Sequence, residues 1–309
     1  MRALVTGANG FVGRYLVDAL QRAGAEVLGC AGPRDNGGPW FPIDLTQPQT
    51  LSRALDAARP TIVFHLAAQT FVPDSLRAPV ETYEINATGS ARLAEAVRGY
   101  DGGPPPRVVF ASSAEVYGAR EPSEFPLCEN LDLRPANPYG ASKAAAEAIL
   151  LAHARSFGLN VVIARSFNHI GPAQSERFVV ASLAAQLARI AAGGSPQLFV
   201  GNLNAARDFL DVRDVVEAYI ALARDGEAGE IYNVCSGRAV AIRDVLRELI
   251  AIAHVPVEVR EDPARRRPTD IPLLVGNSEK IRKQTGWRPQ ISLIESLRAI
   301  YTAALASTT

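Results

Sequence analysis

The sequence predicts an α/β protein built on a doubly wound parallel sheet, on three grounds. Short apolar runs rich in β-branched residues alternate with longer helical patterns through the first half of the chain. Runs of that kind suit strands covered by helices on both faces. A glycine-rich turn joins the first run to the first helical stretch, the junction used by nucleotide-binding sheets of the Rossmann type.

Strands are predicted at 3–6, 26–30, 61–66, 107–111 and 161–165, with helices at 11–23, 51–59, 80–98 and 138–157 between them. Gly102-Gly103-Pro104-Pro105-Pro106 breaks the chain before the fourth strand, and Pro138 sits in a first helical turn, where its missing N–H costs nothing. Beyond residue 170 the pattern loosens. Helices are expected at 182–192, 212–223, 242–253 and 293–305, and short strands at 197–200 and 231–233, with Gly193-Gly194-Ser195-Pro196 ending the first of these helices. The expected organisation is a dinucleotide-binding domain over 1–168 and a smaller C-terminal α/β substrate lobe over 169–309. Whether a later segment crosses back to complete the first sheet stays open at this point.

Composition removes several classes of function. Thirty-two Lys and Arg balance thirty-two Asp and Glu among 309 residues, so the basic excess of a nucleic-acid binder is missing. No apolar run reaches the ~18 residues of a membrane span, and the first strand begins too early for a signal peptide. Cys30, Cys128 and Cys235 are odd in number and far apart, which points to a reducing compartment, the cytoplasm. His65, His153, His169 and His254 show no ligand spacing, so no metal site is expected.

The turn reads Thr6-Gly7-Ala8-Asn9-Gly10-Phe11-Val12-Gly13. Glycines at 7, 10 and 13 permit a tight turn, close approach to a pyrophosphate and close helix packing, while the helix N-terminus offers N–H donors and the positive end of its dipole. The second strand should end in an acidic residue if the ribose 2′-hydroxyl of NAD is to be held. Here it runs Val27-Leu28-Gly29-Cys30-Ala31-Gly32-Pro33-Arg34. A missing carboxylate and a nearby Arg34 favour NADP, with NAD possible and Arg34 as a solvated loop residue the alternative.

Tyr139 and Lys143 lie four apart, hence on one helix face. A tyrosine of ordinary pKa ~10 is a poor acid near neutrality, and an adjacent ammonium should lower it. Upstream, Ser112 and Ser113 close an apolar strand, where ligands of open α/β sheets sit.

With these motifs in place, essentially the whole chain resembles the extended short-chain dehydrogenase/reductase family. The resemblance implies that Ser113, Tyr139 and Lys143 are catalytic and that Lys143 also holds the nicotinamide ribose. It implies that Asp44 and Leu45 contact the adenine, that Leu66, Ala67, Ala68 and Gln69 line the cofactor, and that Asn86 lies on a helix beside the site. A homodimer through the helices at 80–98 and 138–157 is implied as well.

The second half is similar to the nucleotide-sugar branch. Its motifs are Arg165-Ser166-Phe167-Asn168-His169-Ile170-Gly171-Pro172, then Glu176-Arg177-Phe178-Val179, Arg207-Asp208-Phe209, Tyr232-Asn233-Val234 and Arg267-Pro268-Thr269-Asp270. A nucleotide diphosphate needs placed cations, and the planar arginine fork suits phosphate. Arg207 and Arg267 are the candidates, with Asn168 a neutral donor and Ser112, Val179 and Asp270 further substrate contacts. Glu115 is a substrate acceptor, a catalytic base or a structural residue, the first being favoured for a reductase. The resemblance thus implies NAD(P)H-dependent reduction of the C4 ketone of a GDP-linked 4-keto-6-deoxy sugar to GDP-D-rhamnose. A 4,6-dehydratase or UDP-sugar 4-epimerase retaining its cofactor, or a cofactor-sensing regulator, are the alternatives, and neither the face of hydride attack nor guanine against uracil is readable.

Overall fold

The computed structural model describes residues 1–33, 38–265 and 271–308. The first half runs β1 (Arg2–Thr6), α1 (Phe11–Arg22), β2 (Glu26–Ala31), β3 (Phe41–Pro42), α2 (Pro48–Ala58), β4 (Ile62–His65), α3 (Val72–Arg77), α4 (Pro79–Tyr83), α5 (Gly89–Arg98), β5 (Arg107–Ser113), α6 (Pro138–Phe157) and β6 (Val161–Ser166). The second half adds β7 (Asn168–Ile170), α7 (Val179–Ala191), β8 (Gln197–Val200), β9 (Ala206–Asp211), α8 (Val212–Asp225), β10 (Ile231–Val234), β11 (Ala239–Ala241), α9 (Ile242–Ala253), β12 (Glu258–Glu261), β13 (Leu273–Leu274), α10 (Glu279–Thr285) and α11 (Leu293–Thr308).

Seven strands form one sheet in the order β3, β2, β1, β4, β5, β6, β10, each pairing with its neighbour in parallel. Successive residues of a strand face opposite sides, and both sides are covered. Val5, Phe64 and Val109 pack with Leu16 and Leu20 of α1 and Val215, Tyr219 and Leu222 of α8. Leu4, Val63 and Phe110 pack on the other face with Leu51, Leu93 and Leu150 of α2, α5 and α6. Each such side chain contributes about 1.5–3 kcal/mol by leaving water, and this is why the strand sequences show no polar alternation. The strand order reverses direction at β1, so the crevice for a ligand opens beyond the carboxyl ends of β1 and β4.

The segment after α8 returns to this sheet as β10, beside β6. The rest of the second half builds over the carboxyl edge: β9 pairs with β7, β11 and β13, and β8 pairs with β12. Behind them Leu183, Leu187, Leu246, Leu249, Leu297 and Ile300 join α7, α9 and α11 in a separate apolar cluster.

Several elements differ from expectation. The helix expected at 80–98 is α4, a π-helical turn over Glu84–Thr88 and α5. One extra residue in a turn barely disturbs apolar periodicity, which therefore reads straight through it. β5 extends past 111 to Ser113, pairing Ser112 with Arg165 and Ser113 with Ser166. Polar side chains hid that extension, as they hid β9, which carries Arg207 and Asp208, and the exposed β12. Helix α7 begins at Val179 rather than 182.

Candidate active site

One cavity of about 1350 Å³ runs from the glycine turn to the C-terminal lobe. Gly7, Asn9, Gly10, Phe11, Val12 and Gly13 line one end, with Asp44, Leu45, Leu66, Ala67, Ala68 and Gln69 beside them. Ser112, Ser113, Glu115 and Tyr139 form the middle, and Asn168, Val179 and Arg207 the far end. Lys143 and Asn86 are not on its wall but packed behind it, 3% and 1% exposed. Arg34, Arg267 and Asp270 lie outside the described residues.

The turn between β1 and α1 is shaped for close approach. Gly7 has φ +72°, and a Cβ there would stand 2.8 Å from the Ala67 nitrogen; one on Gly13 would stand 2.1 Å from the Gly7 carbonyl oxygen. Gly10 precedes α1, and no side chain caps that end, so the first-turn N–H groups face the cavity as anion donors. Nearby, the Asp44 carboxylate accepts from the Thr46 N–H at 2.8 Å and its hydroxyl at 2.7 Å, which orients the loop after β3. The amide oxygens of Gln69 and Gln174, both on the cavity wall, are buried without a hydrogen-bond partner. A phosphate cradle at one end and orphaned acceptors further along fit a bound dinucleotide.

The carboxyl end of β5 meets one face of α6. The Tyr139 phenol hydrogen-bonds Ser113, and the Lys143 ammonium donates to the Ala111 carbonyl oxygen at 2.8 Å while lying 4.7 Å from the Phe110 ring centre. Asn137 caps α6 by accepting from the Gly140 N–H at 2.8 Å, and its amide donates to Glu115 Oε2 at 2.8 Å. Ser75 of α3 accepts from the Tyr139 N–H at 3.2 Å. Tyr139 is thereby held through its backbone and its ring.

The expected lowering of the tyrosine pKa is not what the structure shows. Burial raises the phenol above its ordinary value, Glu115 and Tyr219 reinforce the rise, and only the Ser113 hydrogen bond opposes it. Lys143 directs its charge at the Ala111 carbonyl instead. Burial lowers the Lys143 ammonium to about 7, with Glu147 acting against that fall.

Asn86 occupies the π-turn. Its oxygen accepts from the Gln69 N–H at 2.8 Å, and its amide donates to the Gln69 carbonyl and the Ser142 hydroxyl, both at 2.9 Å. It therefore fixes the loop at Gln69 rather than facing the cavity. His65 joins β1 to α5, with Nδ1 2.8 Å from Thr6 Oγ1 and Nε2 3.1 Å from Ser90 Oγ. Burial first, then Lys143, hold its pKa down at about 3, so the ring is neutral.

At the far end the Arg207 guanidinium, 8% exposed, donates to the Ala206 carbonyl at 2.9 Å. Asp74 of α3 pairs with Arg177 across the mouth at 2.5 Å, and Arg177 lies 3.9 Å above the Phe71 ring, itself edge-on to Phe178. Asn137, Ser75 and this clasp were not anticipated. Only Asn137 left a local signal, as a capping residue immediately before Pro138.

Comparison with known proteins accords with this geometry. Residues 4–300 match the family model described as GDP-mannose 4,6 dehydratase. The chain is 40% identical over 308 residues to the GDP-6-deoxy-D-mannose reductase of Pseudomonas aeruginosa, covering 97% of this chain and 95% of that one. Among solved structures, RMD from Pseudomonas aeruginosa complexed with NADPH superposes with a TM-score of 0.87 at 36% identity, over 99% of this chain and 100% of that chain. The Thermus thermophilus UDP-glucose 4-epimerase complex with NAD also gives 0.87, at 34% identity over 98% of this chain and 99% of that chain. The chain belongs to the GDP-mannose 4,6-dehydratase family of extended short-chain dehydrogenases/reductases.

Proposed function

We propose that this protein reduces the C4 ketone of GDP-4-dehydro-6-deoxy-D-mannose with NADPH, yielding GDP-D-rhamnose. The observation that carries the reading is the Ser113–Tyr139 pair in the same cavity as the glycine cradle, in a chain 40% identical to a GDP-6-deoxy-D-mannose reductase. Bound NADPH supplies the hydride that reduces C4. As charge builds on the ketone oxygen, the Tyr139 hydroxyl donates its proton and the Ser113 hydroxyl hydrogen-bonds the same oxygen. A phenol whose pKa is raised by burial stays protonated until that moment. Lys143 holds its cation behind the pair, against Ala111, with the nicotinamide ribose as its further partner.

Gly7, Asn9, Gly10, Phe11, Val12 and Gly13 take the pyrophosphate, and Asp44 and Leu45 the adenine end. Leu66, Ala67, Ala68 and Gln69, braced by Asn86, take the nicotinamide half, and Arg34 the 2′-phosphate. Arg207 is assigned to the substrate diphosphate, as is Arg267 on its sequence alone, and Ser112, Glu115, Asn168, Val179 and, again on sequence alone, Asp270 are assigned to the sugar-nucleotide site. Free Cys30, Cys128 and Cys235 support a reducing compartment, the cytoplasm. Exposed Val80 and Tyr83 on α4 support pairing of two copies through α4, α5 and α6; light scattering on a size-exclusion column tests it, and a monomer at working concentration rejects it.

A second reading, a 4,6-dehydratase that regenerates its cofactor, draws on Glu115, which Asn137 holds at the cavity wall. One experiment separates the two. Mixing the protein with GDP-4-dehydro-6-deoxy-D-mannose and NADPH should consume the nicotinamide absorbance stoichiometrically and give GDP-D-rhamnose by NMR, whereas no NADPH loss there, together with conversion of GDP-D-mannose to the 4-keto-6-deoxy sugar without net change in the cofactor, selects the dehydratase. Tyr139→Phe should lower kcat by at least ~100-fold with cofactor binding retained, and full activity in that variant rejects the mechanism.

A further inference from the structure

Three consecutive residues of β5 meet three residues of α6 spaced one turn apart: Ser113 meets Tyr139, Ala111 meets Lys143, and Ser112 meets Glu147. The first two contacts belong to the proposed chemistry and the third does not. Glu147, 1% exposed, accepts the Ser112 hydroxyl at 2.5 Å on Oε1. Arg165, on the adjacent strand β6 and 2% exposed, grips the same carboxylate: Nε lies 3.0 Å from Oε1 and 3.2 Å from Oε2, and Nη2 lies 2.7 Å from Oε2.

Arg165 is itself held from behind. Nη1 donates to the Tyr117 hydroxyl at 3.0 Å and the Glu129 carbonyl at 3.2 Å, and the guanidinium lies 4.9 Å from the Tyr117 ring centre. Tyr117 in turn donates to Asn233 of β10 at 2.7 Å. An ion pair desolvated this far adds little net stability compared with apolar side chains of the same size, so its presence asks for another role. Composition sharpens the question, because only three of the thirty-two Lys and Arg are lysines, Lys143, Lys280 and Lys283. Lys280 pairs with Glu230 and Lys283 with Glu279 in exposed ion pairs. Lys143 alone is buried.

We infer that Glu147, clamped by Arg165 and Ser112, is a positioning residue that keeps Lys143 an ammonium ion at the Ala111 carbonyl. This rests on the reading of Tyr139 and Lys143 as the reacting pair. The groups that act on Lys143 are Glu147 on its own helix and neutral His65 from β4, with Arg165 from β6 bound to the Glu147 carboxylate; Glu115 acts on Tyr139 from the loop after β5. Glu147 is the one anion among them that favours the charged lysine. Arg165 holds that carboxylate in place through Nε and Nη2.

With three lysines in the chain, isotope-labelled lysine gives an assignable NMR titration of Lys143, in the full-length protein with and without NADPH, that needs no turnover. Glu147→Gln should lower the Lys143 midpoint by about one pH unit or more and move the alkaline loss of kcat down with it, KM changing little. That variant leaves Arg165 unpaired, so the double variant Glu147→Gln with Arg165→Met, which removes both charges, is measured beside it and should show the same direction of shift. Glu147→Asp should restore part of the midpoint. A folded variant with an unshifted Lys143 midpoint would overturn the inference, and so would a wild-type Lys143 already neutral at pH 6. Failure of the underlying reading looks different: Tyr139→Phe would stay active whatever Lys143 does.

Discussion

Gly13→Ala isolates what the glycine turn does. The added Cβ would lie 2.1 Å from the Gly7 carbonyl oxygen, 2.8 Å from Ala8 Cα and 2.9 Å from the Ala8 carbonyl carbon. All three are backbone atoms, so no side chain can rotate away. Restoring the 3.4 Å of ordinary contact requires the turn and α1 to separate by about 1.3 Å. Such overpacking costs about 1–3 kcal/mol, against which alanine in a helix interior returns about 1 kcal/mol. Net destabilisation of up to about 2 kcal/mol should lower Tm by only a few degrees in a chain this long. The effect on NADPH is larger in proportion. Hydrogen bonds to a charged phosphate are each worth about 1.5–3 kcal/mol, and displacing the donors by an ångström forfeits at least one, a rise in Kd of roughly tenfold or more. Gly24→Ala is the control: φ is +77° and nothing lies within 4 Å of the new Cβ, so it should lose about 1–2 kcal/mol of stability with cofactor affinity unchanged. Fluorescence titration with NADPH measures both. Wild-type affinity in a folded Gly13→Ala protein would show that the turn does not carry the pyrophosphate.

Two other substitutions probe the supports of the site. Asn137→Ala removes the α6 cap and the donor to Glu115; it should lose about 1 kcal/mol in a denaturant melt and lower kcat, while Asn137→Ser should restore stability without restoring kcat. His65 makes stability depend on acid. Its folded pKa of about 3 lies below the unfolded 6.5, so the unfolded chain binds the extra proton between those values. Stability should be complete above pH 6.5 and fall by about 1.4 kcal/mol for each unit below it. His65→Gln, which keeps a polar group near Thr6 and Ser90, should flatten that slope, and an unchanged slope would assign the proton uptake elsewhere.

The strand-helix alternation, the glycine turn and the Tyr139–Lys143 spacing were readable because each is local: periodicity and four-residue spacing need no knowledge of distant chain. The same locality explains the errors. Strand β9 was invisible because Arg207 and Asp208 look polar, yet Asp208 is fully buried, where it accepts from the Ser236 N–H at 2.7 Å and hydroxyl at 2.6 Å and from the Gly237 N–H at 2.8 Å. The fall expected for Tyr139 on account of its neighbour failed because helix spacing says which residues share a face and nothing about desolvation.

Sequence alone was enough for the parallel sheet, the glycine turn between β1 and α1 and the placing of Tyr139 and Lys143 on one helix face, since those depend on patterns a few residues long. Tertiary structure decided what surrounds them. It set Glu147 against Ser112 and Arg165, brought Asp74 to Arg177 across 103 positions of chain, and returned β10 to the first sheet. Burial and electrostatic environment are properties of groups assembled from distant segments, and only the folded chain contains them.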